Sequence, residues 1–148
     1  MIGLVVTGHG HFADGIHTSA QMIAGENEYV RYINFEEGMT PEQLAEKFNA
    51  AFDEFRTCDG VVVLSDLPGG SPFKTAVECK YARPDQKIEV ISGTNLPMIV
   101  STLAGRGVGH YLHLCQVRSN GEQGRSFESG SNSLSGFHIT ADNYTVNR

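Results

Sequence analysis

A chain of 148 residues with 40% hydrophobic and 19% charged side chains is long enough for one self-sufficient core and too balanced for a disordered or membrane-embedded protein. No apolar run reaches the roughly 20 residues that a spanning helix needs, and the N-terminus enters a β-like run without a basic region or cleavage site, so a cytoplasmic protein is expected. The net charge of −6 lies before residue 116, since Arg118, Arg125 and Arg148 balance Glu122, Glu128 and Asp142, and an acidic body argues against nucleic acid as a partner.

In chain order, the apolar run Ile2 to Val6 predicts a buried strand that opens into Thr7-Gly8-His9-Gly10. Ala13 to Ala24 follows as a helix, with Ile16, Ala20, Ile23 and Ala24 at helical spacing and Gly25 to end it. Tyr29 to Phe35 alternates as a second strand, with Val30, Tyr32 and Asn34 on one face and Arg31, Ile33 and Phe35 on the other. Thr40-Pro41-Glu42-Gln43 offers an N-cap, a first-turn proline and a capping-box glutamine, and Leu44, Phe48, Ala51, Phe52 and Phe55 form one apolar stripe behind it. Gly60 to Leu64 is continuously apolar, which suits a central strand; it ends at Ser65-Asp66-Leu67-Pro68-Gly69-Gly70-Ser71-Pro72. Ser71 as N-cap and Pro72 as first helical residue start a third helix to about Tyr81. Lys87 to Ile91 is a fourth strand, followed by Gly93-Thr94-Asn95 and a helix from Leu96 to Leu103. Residues 1–115 read as one domain; 116–148 are atypical, rich in Gly, Ser and Asn, and show no helical stripe.

Strands alternating with helices at this spacing predict an α/β fold, an open sheet of four parallel strands in the order 2-1-3-4 with helices on both faces. The crevice of such a sheet lies where neighbouring crossovers leave in opposite directions, here between the first and third strands, so the loop with His9 should face the loop with Asp66. A histidine can carry a phosphoryl group on one ring nitrogen while a carboxylate on the other fixes the tautomer. Asp66 is the candidate for that second role. Gly69 and Gly70 permit close backbone approach, and the helix start after them favours an anion within reach of the Ser71 hydroxyl. Each residue also has a plainer reading: His9 as a strand cap, Asp66 as a turn cap, Gly69-Gly70-Ser71-Pro72 as an ordinary turn, and Gly93 to Pro97 as either crevice lining or a strand-to-helix turn. His11 forms a His-x-His pair with His9, which with Asp66 would suit a metal-dependent hydrolase, although no further ligand cluster follows and no metal is expected. His17, His110, His113 and His138 read as surface or packing residues, and Cys58, Cys79 and Cys115 as reduced packing thiols. No Gly-Lys-Ser/Thr nucleotide motif occurs, and no cofactor is expected.

The segments Thr7-Gly8-His9-Gly10, Ser65 to Pro72 and Ile91 to Pro97 resemble, in this order, the mannose-type IIA components of the bacterial phosphoenolpyruvate-dependent sugar phosphotransferase system, over residues 1–105. The resemblance implies a phosphorelay. His9 would take a phosphoryl group from HPr and pass it to a IIB component (EIIB), which phosphorylates sugar entering through the EIIC and EIID membrane components. It also implies that Asp66 hydrogen-bonds the active histidine, that Ser71 neighbours the phosphate, and that apolar residues near the crevice dock the partners; Phe12, Leu67, Pro68 and Phe73 are the candidates. The family continues with a strand exchanged in a homodimer and an amphipathic helix. Residues 116–148 depart from that pattern, so an exchanged strand, for which Tyr111 to Cys115 or Phe137 to Thr140 would serve, and a disordered tail both stay open. Rival readings are the phosphotransfer subunit of a dihydroxyacetone kinase, a regulatory IIA-like domain and the metal-dependent hydrolase. The sugar itself is not readable from a carrier.

Overall fold

A computed structural model of the protein describes residues 1–104. Its elements are β1 (Ile2–His9), α1 (Phe12–Ala24), β2 (Val30–Phe35), α2 (Pro41–Glu54), β3 (Gly60–Ser65), α3 (Ser71–Tyr81), β4 (Ile88–Ser92) and α4 (Leu96–Leu103). The strands form one parallel sheet in the order β2-β1-β3-β4, as the alternation of strands and helices predicts. Residues 116–148, the two candidate strands in 111–140 and the exchanged-strand dimer lie outside the described residues.

The strands owe their places to their two-sided apolarity. Val5, Val61, Val63, Ile88 and Val90 face α2 and α3, where Leu44, Phe48, Ala51, Phe52, Phe55, Phe73, Ala76 and Val77 cover them. Leu4, Val6, Val62, Leu64 and Ile91 point the other way, against Ala20 of α1 and Met98 and Ile99 of α4. Period-two alternation within a continuously apolar run therefore feeds two cores, which is why β1 and β3 are central. The edge strand β2 divides as its alternation predicts, with Ile33 and Phe35 on the α2 side and Val30 and Tyr32 on the α1 side.

The capping box of α2 is present in full: the Thr40 side chain accepts from the Gln43 N–H, and the Gln43 side chain accepts from the Thr40 N–H. Phe48 is fully buried and its ring lies 6.1 Å from that of Phe52, stacked at 12°. Phe48→Ala is expected to lower the unfolding free energy by about 3–5 kcal/mol in urea titrations, because the cavity left against two rigid layers cannot close. A loss below about 1 kcal/mol would show that the α2 face is not the centre of this core.

Most boundaries fall within one residue of expectation, and two differences bear on the site. β1 runs on to His9 because Thr7, Gly8 and His9 keep register with Ile33, Asn34 and Phe35, so the motif read as a loop is the end of a strand. Gly70, not Ser71, caps α3: Gly70 has extended backbone (φ −68°, ψ 165°), no side chain caps the helix, and Ser71 is already helical.

Candidate functional site

β1 and β3 pair directly, with Thr7 opposite Ser65, and their crossovers leave to opposite sides of the sheet. The crevice this creates holds His9, the last residue of β1, and Asp66, the first residue after β3. One carboxylate oxygen of Asp66, Oδ2, accepts the His9 main-chain N–H at 2.9 Å and lies 2.8 Å from His9 Nδ1. The other, Oδ1, accepts the Leu67 N–H at 2.7 Å and the Ser65 hydroxyl at 3.3 Å. Burial pushes the Asp66 carboxyl up, but the His9 main-chain N–H, the His9 ring and the Leu67 N–H outweigh it and hold the group below the ordinary carboxylate value. An ionised carboxylate can only accept, so the neutral ring keeps its proton on Nδ1 and leaves the Nε2 lone pair free. The His9 side chain is 43% exposed and that of Asp66 12%, so the imidazole is open to solvent while the carboxylate that holds it is sheltered.

The ring is fenced as well as hydrogen-bonded. Phe35 meets it edge to face, with centroids 5.9 Å apart at 77°. On the α3 side, a Cβ added to Gly70 would lie 2.7 Å from His9 Cε1 and 3.4 Å from Nε2. Gly8 makes room in the same way, since a Cβ there would lie 2.5 Å from Phe12 Cδ1 and 2.9 Å from Asp66 Cγ. Gly70→Ala is expected to leave stability within about 1 kcal/mol, because alanine adopts this φ freely, yet to push the imidazole off Asp66. A crystal structure of the variant with the His9–Asp66 hydrogen bond unchanged would refute the role given to Gly70.

Ser71 opens α3 with a hydroxyl that has no hydrogen-bond partner among the described residues, and the cap residue before it is the glycine whose missing Cβ leaves room for the His9 ring. The positive end of the α3 dipole therefore lies beside Nε2. The third motif loop braces the second: Gly93 N–H donates to the Asp66 carbonyl at 3.1 Å, and Thr94 donates to the Ser65 carbonyl through its N–H at 3.1 Å and its hydroxyl at 2.7 Å. Of the candidate docking residues, Leu67 is 56% exposed, Pro68 is exposed and Phe12 is half-buried against the Leu4 and Val6 side of the sheet. Phe73 must be corrected: it is fully buried between α3 and the sheet and presents nothing to a partner. Its i+3 and i+4 neighbours Ala76 and Val77 share the same buried stripe, a periodicity that marks Phe73 as core.

His11 is exposed and turns away from the pair, with Nδ1 3.4 Å from Asn34 Nδ2 and 3.6 Å from Asp14 Oδ2. Asn34 and Asp14 form a reciprocal pair that ties the start of α1 to the end of β2: the Asp14 N–H donates to Asn34 Oδ1 at 3.2 Å and Asn34 Nδ2 to Asp14 Oδ2 at 2.5 Å. A buried asparagine in an otherwise apolar alternation was its only sequence signal. Among the described residues no group of three or more His, Cys, Asp or Glu is gathered to hold a metal ion, and His17 stacks on Tyr32 at 4.1 Å.

The sequence profile of the family described as "PTS system fructose IIA component" matches residues 3–114. The chain belongs to this family, the mannose-type IIA proteins. It is 40% identical over 105 residues to the mannose-specific EIIAB component of Escherichia coli (strain K12), an alignment that covers 71% of this chain and 32% of that protein. The chain thus spans about a third of that relative's length. With the fructose-specific EIIA component of Bacillus subtilis (strain 168) it shares 30% identity over 106 residues, 72% of this chain and 71% of the other. The crystal structure of the phosphotransferase system component EIIA from Streptococcus agalactiae superposes with a TM-score of 0.67 at 37% identity, covering 72% of this chain and 79% of that one. As a IIA protein the chain keeps all three motif segments at the carboxyl ends of β1, β3 and β4, the end of the sheet where the hydrogen-bonded His9–Asp66 pair lies.

Proposed function

We propose that the protein is a phosphoryl carrier of a sugar phosphotransferase system, in which His9 Nε2 accepts a phosphoryl group from phosphorylated HPr and passes it to a IIB component (EIIB). The single observation that carries this reading is the 2.8 Å contact between Asp66 Oδ2 and His9 Nδ1, which in the neutral ring directs the proton to Nδ1 and the lone pair to Nε2 of a side chain that is nearly half exposed. In the first step the Nε2 lone pair attacks phosphorus as the donor's bond to phosphorus breaks and its electron pair returns to the donor. No proton need leave the ring, because Nε2 carries none. The proton stays on Nδ1, hydrogen-bonded to the ionised Asp66 carboxylate, whose charge offsets the positive character that the ring gains on phosphorylation. Handover to the IIB component reverses these events.

The start of α3, with Gly69, Gly70 and the uncommitted Ser71 hydroxyl, supplies the setting for the phosphoryl oxygens. Leu67, Pro68 and the open edge of Phe12 are the apolar groups on which partners would dock, and a carrier between HPr and the IIB component works in the cytoplasm as part of a chain that ends at EIIC and EIID. The homodimer belongs to this proposal too; a monomer by size-exclusion chromatography with light scattering would remove it. The relatives' names include both mannose and fructose, which fits a carrier that does not select the sugar, and weighs against the dihydroxyacetone kinase subunit. His11 turning to Asn34 and Asp14 leaves the metal-dependent hydrolase without its ligand set.

The test is incubation with phosphoenolpyruvate, Enzyme I and HPr, followed by intact mass. One added phosphoryl group that is acid-labile, base-stable and located on His9 is expected. Absence of label with demonstrably active donors would overturn the carrier reading.

A further inference from the structure

Thr94 spends both of its hydrogen-bond donors on one carbonyl. Its N–H reaches Ser65 O at 3.1 Å and its hydroxyl the same atom at 2.7 Å, while the preceding Gly93 N–H reaches Asp66 O at 3.1 Å. From the β1 side, Thr7 O accepts the Asp66 N–H at 3.2 Å. The peptide units before and after Asp66 are therefore fixed from two neighbouring strands at once. The loop that does the fixing is itself anchored: Asn95 Oδ1 caps α4 by accepting the Met98 N–H at 3.1 Å, and Met98 and Ile99 are buried in the core on the α1 side. Thr94 is β-branched, so its χ1 is stiff and its hydroxyl is held on target.

We propose that Thr94 is a positioning residue for phosphoryl transfer at His9: its hydroxyl fixes the plane of the Ser65–Asp66 peptide and thereby aims the Asp66 carboxylate at the imidazole. This rests on the reading of His9 as the phosphoryl acceptor. The Ser65 carbonyl has two lone pairs and keeps the Thr94 N–H when the hydroxyl is removed, so no buried acceptor is orphaned. What is lost is aim rather than fold. A hydrogen bond at 2.8 Å tolerates little displacement, and a shift of about 1 Å in its supporting shell is enough to loosen it.

The test compares Thr94→Val, which keeps the branched shape and removes only the hydroxyl, with Thr94→Ser, which keeps the hydroxyl. Phosphoryl uptake from phosphorylated HPr should fall about 10- to 100-fold in kcat for Thr94→Val with the KM for the donor unchanged, the range seen when an outer-shell orienting bond is removed. In the unphosphorylated protein, the His9 Nδ1 proton should be slowly exchanging in 15N NMR spectra of the wild type and lost to water exchange in Thr94→Val. Thr94→Ser should restore both. Thr94→Ala, which also lacks the hydroxyl and adds no bulk, is read in the same way if valine disturbs folding. Either change without the other, or a serine variant as impaired as the valine one, overturns the proposal. Wild-type protein that takes up no phosphoryl group overturns the carrier reading instead, and the imidazole signal, measured without donors, still decides whether Thr94 aims Asp66.

Discussion

His9→Ala is expected to lose all phosphoryl uptake, to below the detection limit of an intact-mass assay, while folding as before. The loss is complete because the new bond is formed by the ring nitrogen itself; no neighbour can stand in for it. His11 is the only other imidazole near that end of β1 among the described residues, and it is turned toward Asn34 and Asp14. Stability should change by less than about 1 kcal/mol, since the side chain is nearly half exposed and its removal opens no core cavity. Its loss does free one side of Asp66, but that carboxylate keeps the main-chain N–H at position 9 and the Leu67 N–H. Matching circular dichroism and melting curves for the two proteins, together with one labelled and one blank, is the full expected result. Label persisting in the variant would show that another side chain is the acceptor.

Asp66→Asn should slow uptake on the order of 10²- to 10⁴-fold, the upper end being the effect of the equivalent exchange in a Ser-His-Asp triad, where the amide lets the ring proton settle on the wrong nitrogen. The same reasoning applies here. Asn presents either an oxygen or an NH2 to Nδ1, and in the second case Nδ1 must accept, the proton moves to Nε2, and the nucleophile is lost. Even in the first case, the charge that steadies the phosphorylated ring is gone. Single-turnover uptake from phosphorylated HPr measures this directly, and a rate within threefold of the wild type would remove Asp66 from the mechanism. The pH dependence carries a sign. Hydrogen bonding holds the folded-state carboxyl below its ordinary value, so Asp66 stays ionised, and its share of both stability and rate stays intact, above the ordinary carboxylate range. That share is lost only as pH falls through the lowered folded-state value.

The sheet order, the two-sided cores and the α2 capping box were legible because each rests on local pattern: continuous apolarity in β1 and β3, the heptad-like stripe from Leu44 to Phe55, and Thr40-Pro41-Glu42-Gln43. The His9–Asp66 pairing was legible one step further on, since it follows from topology once the strand order is known. What was not legible depends on contacts distant in sequence. Thr7 to His9 look like a loop because their side chains are polar or absent, and only pairing with Ile33 to Phe35 makes them strand. Asn34 and Asp14 lie 20 residues apart, and Thr94 and Ser65 lie 29 apart, with nothing local to link them. Phe73 is a different kind of error: as an apolar side chain near the crevice it reads as a docking residue, although Ala76 and Val77 at i+3 and i+4 give it the periodicity of a buried helix stripe.

Asp66 Oδ2 holds both the main-chain N–H and the ring of His9, so the imidazole has almost no freedom about its side-chain torsions. Carriers such as biotin or lipoamide travel on a long tether, and their clients can sit at separate stations. A ring clamped in this way offers a single doorway through which both clients must come and go. On the carrier reading its kinetics are those of a shared counter: donor and recipient exclude each other, and a spent donor left in place blocks the recipient.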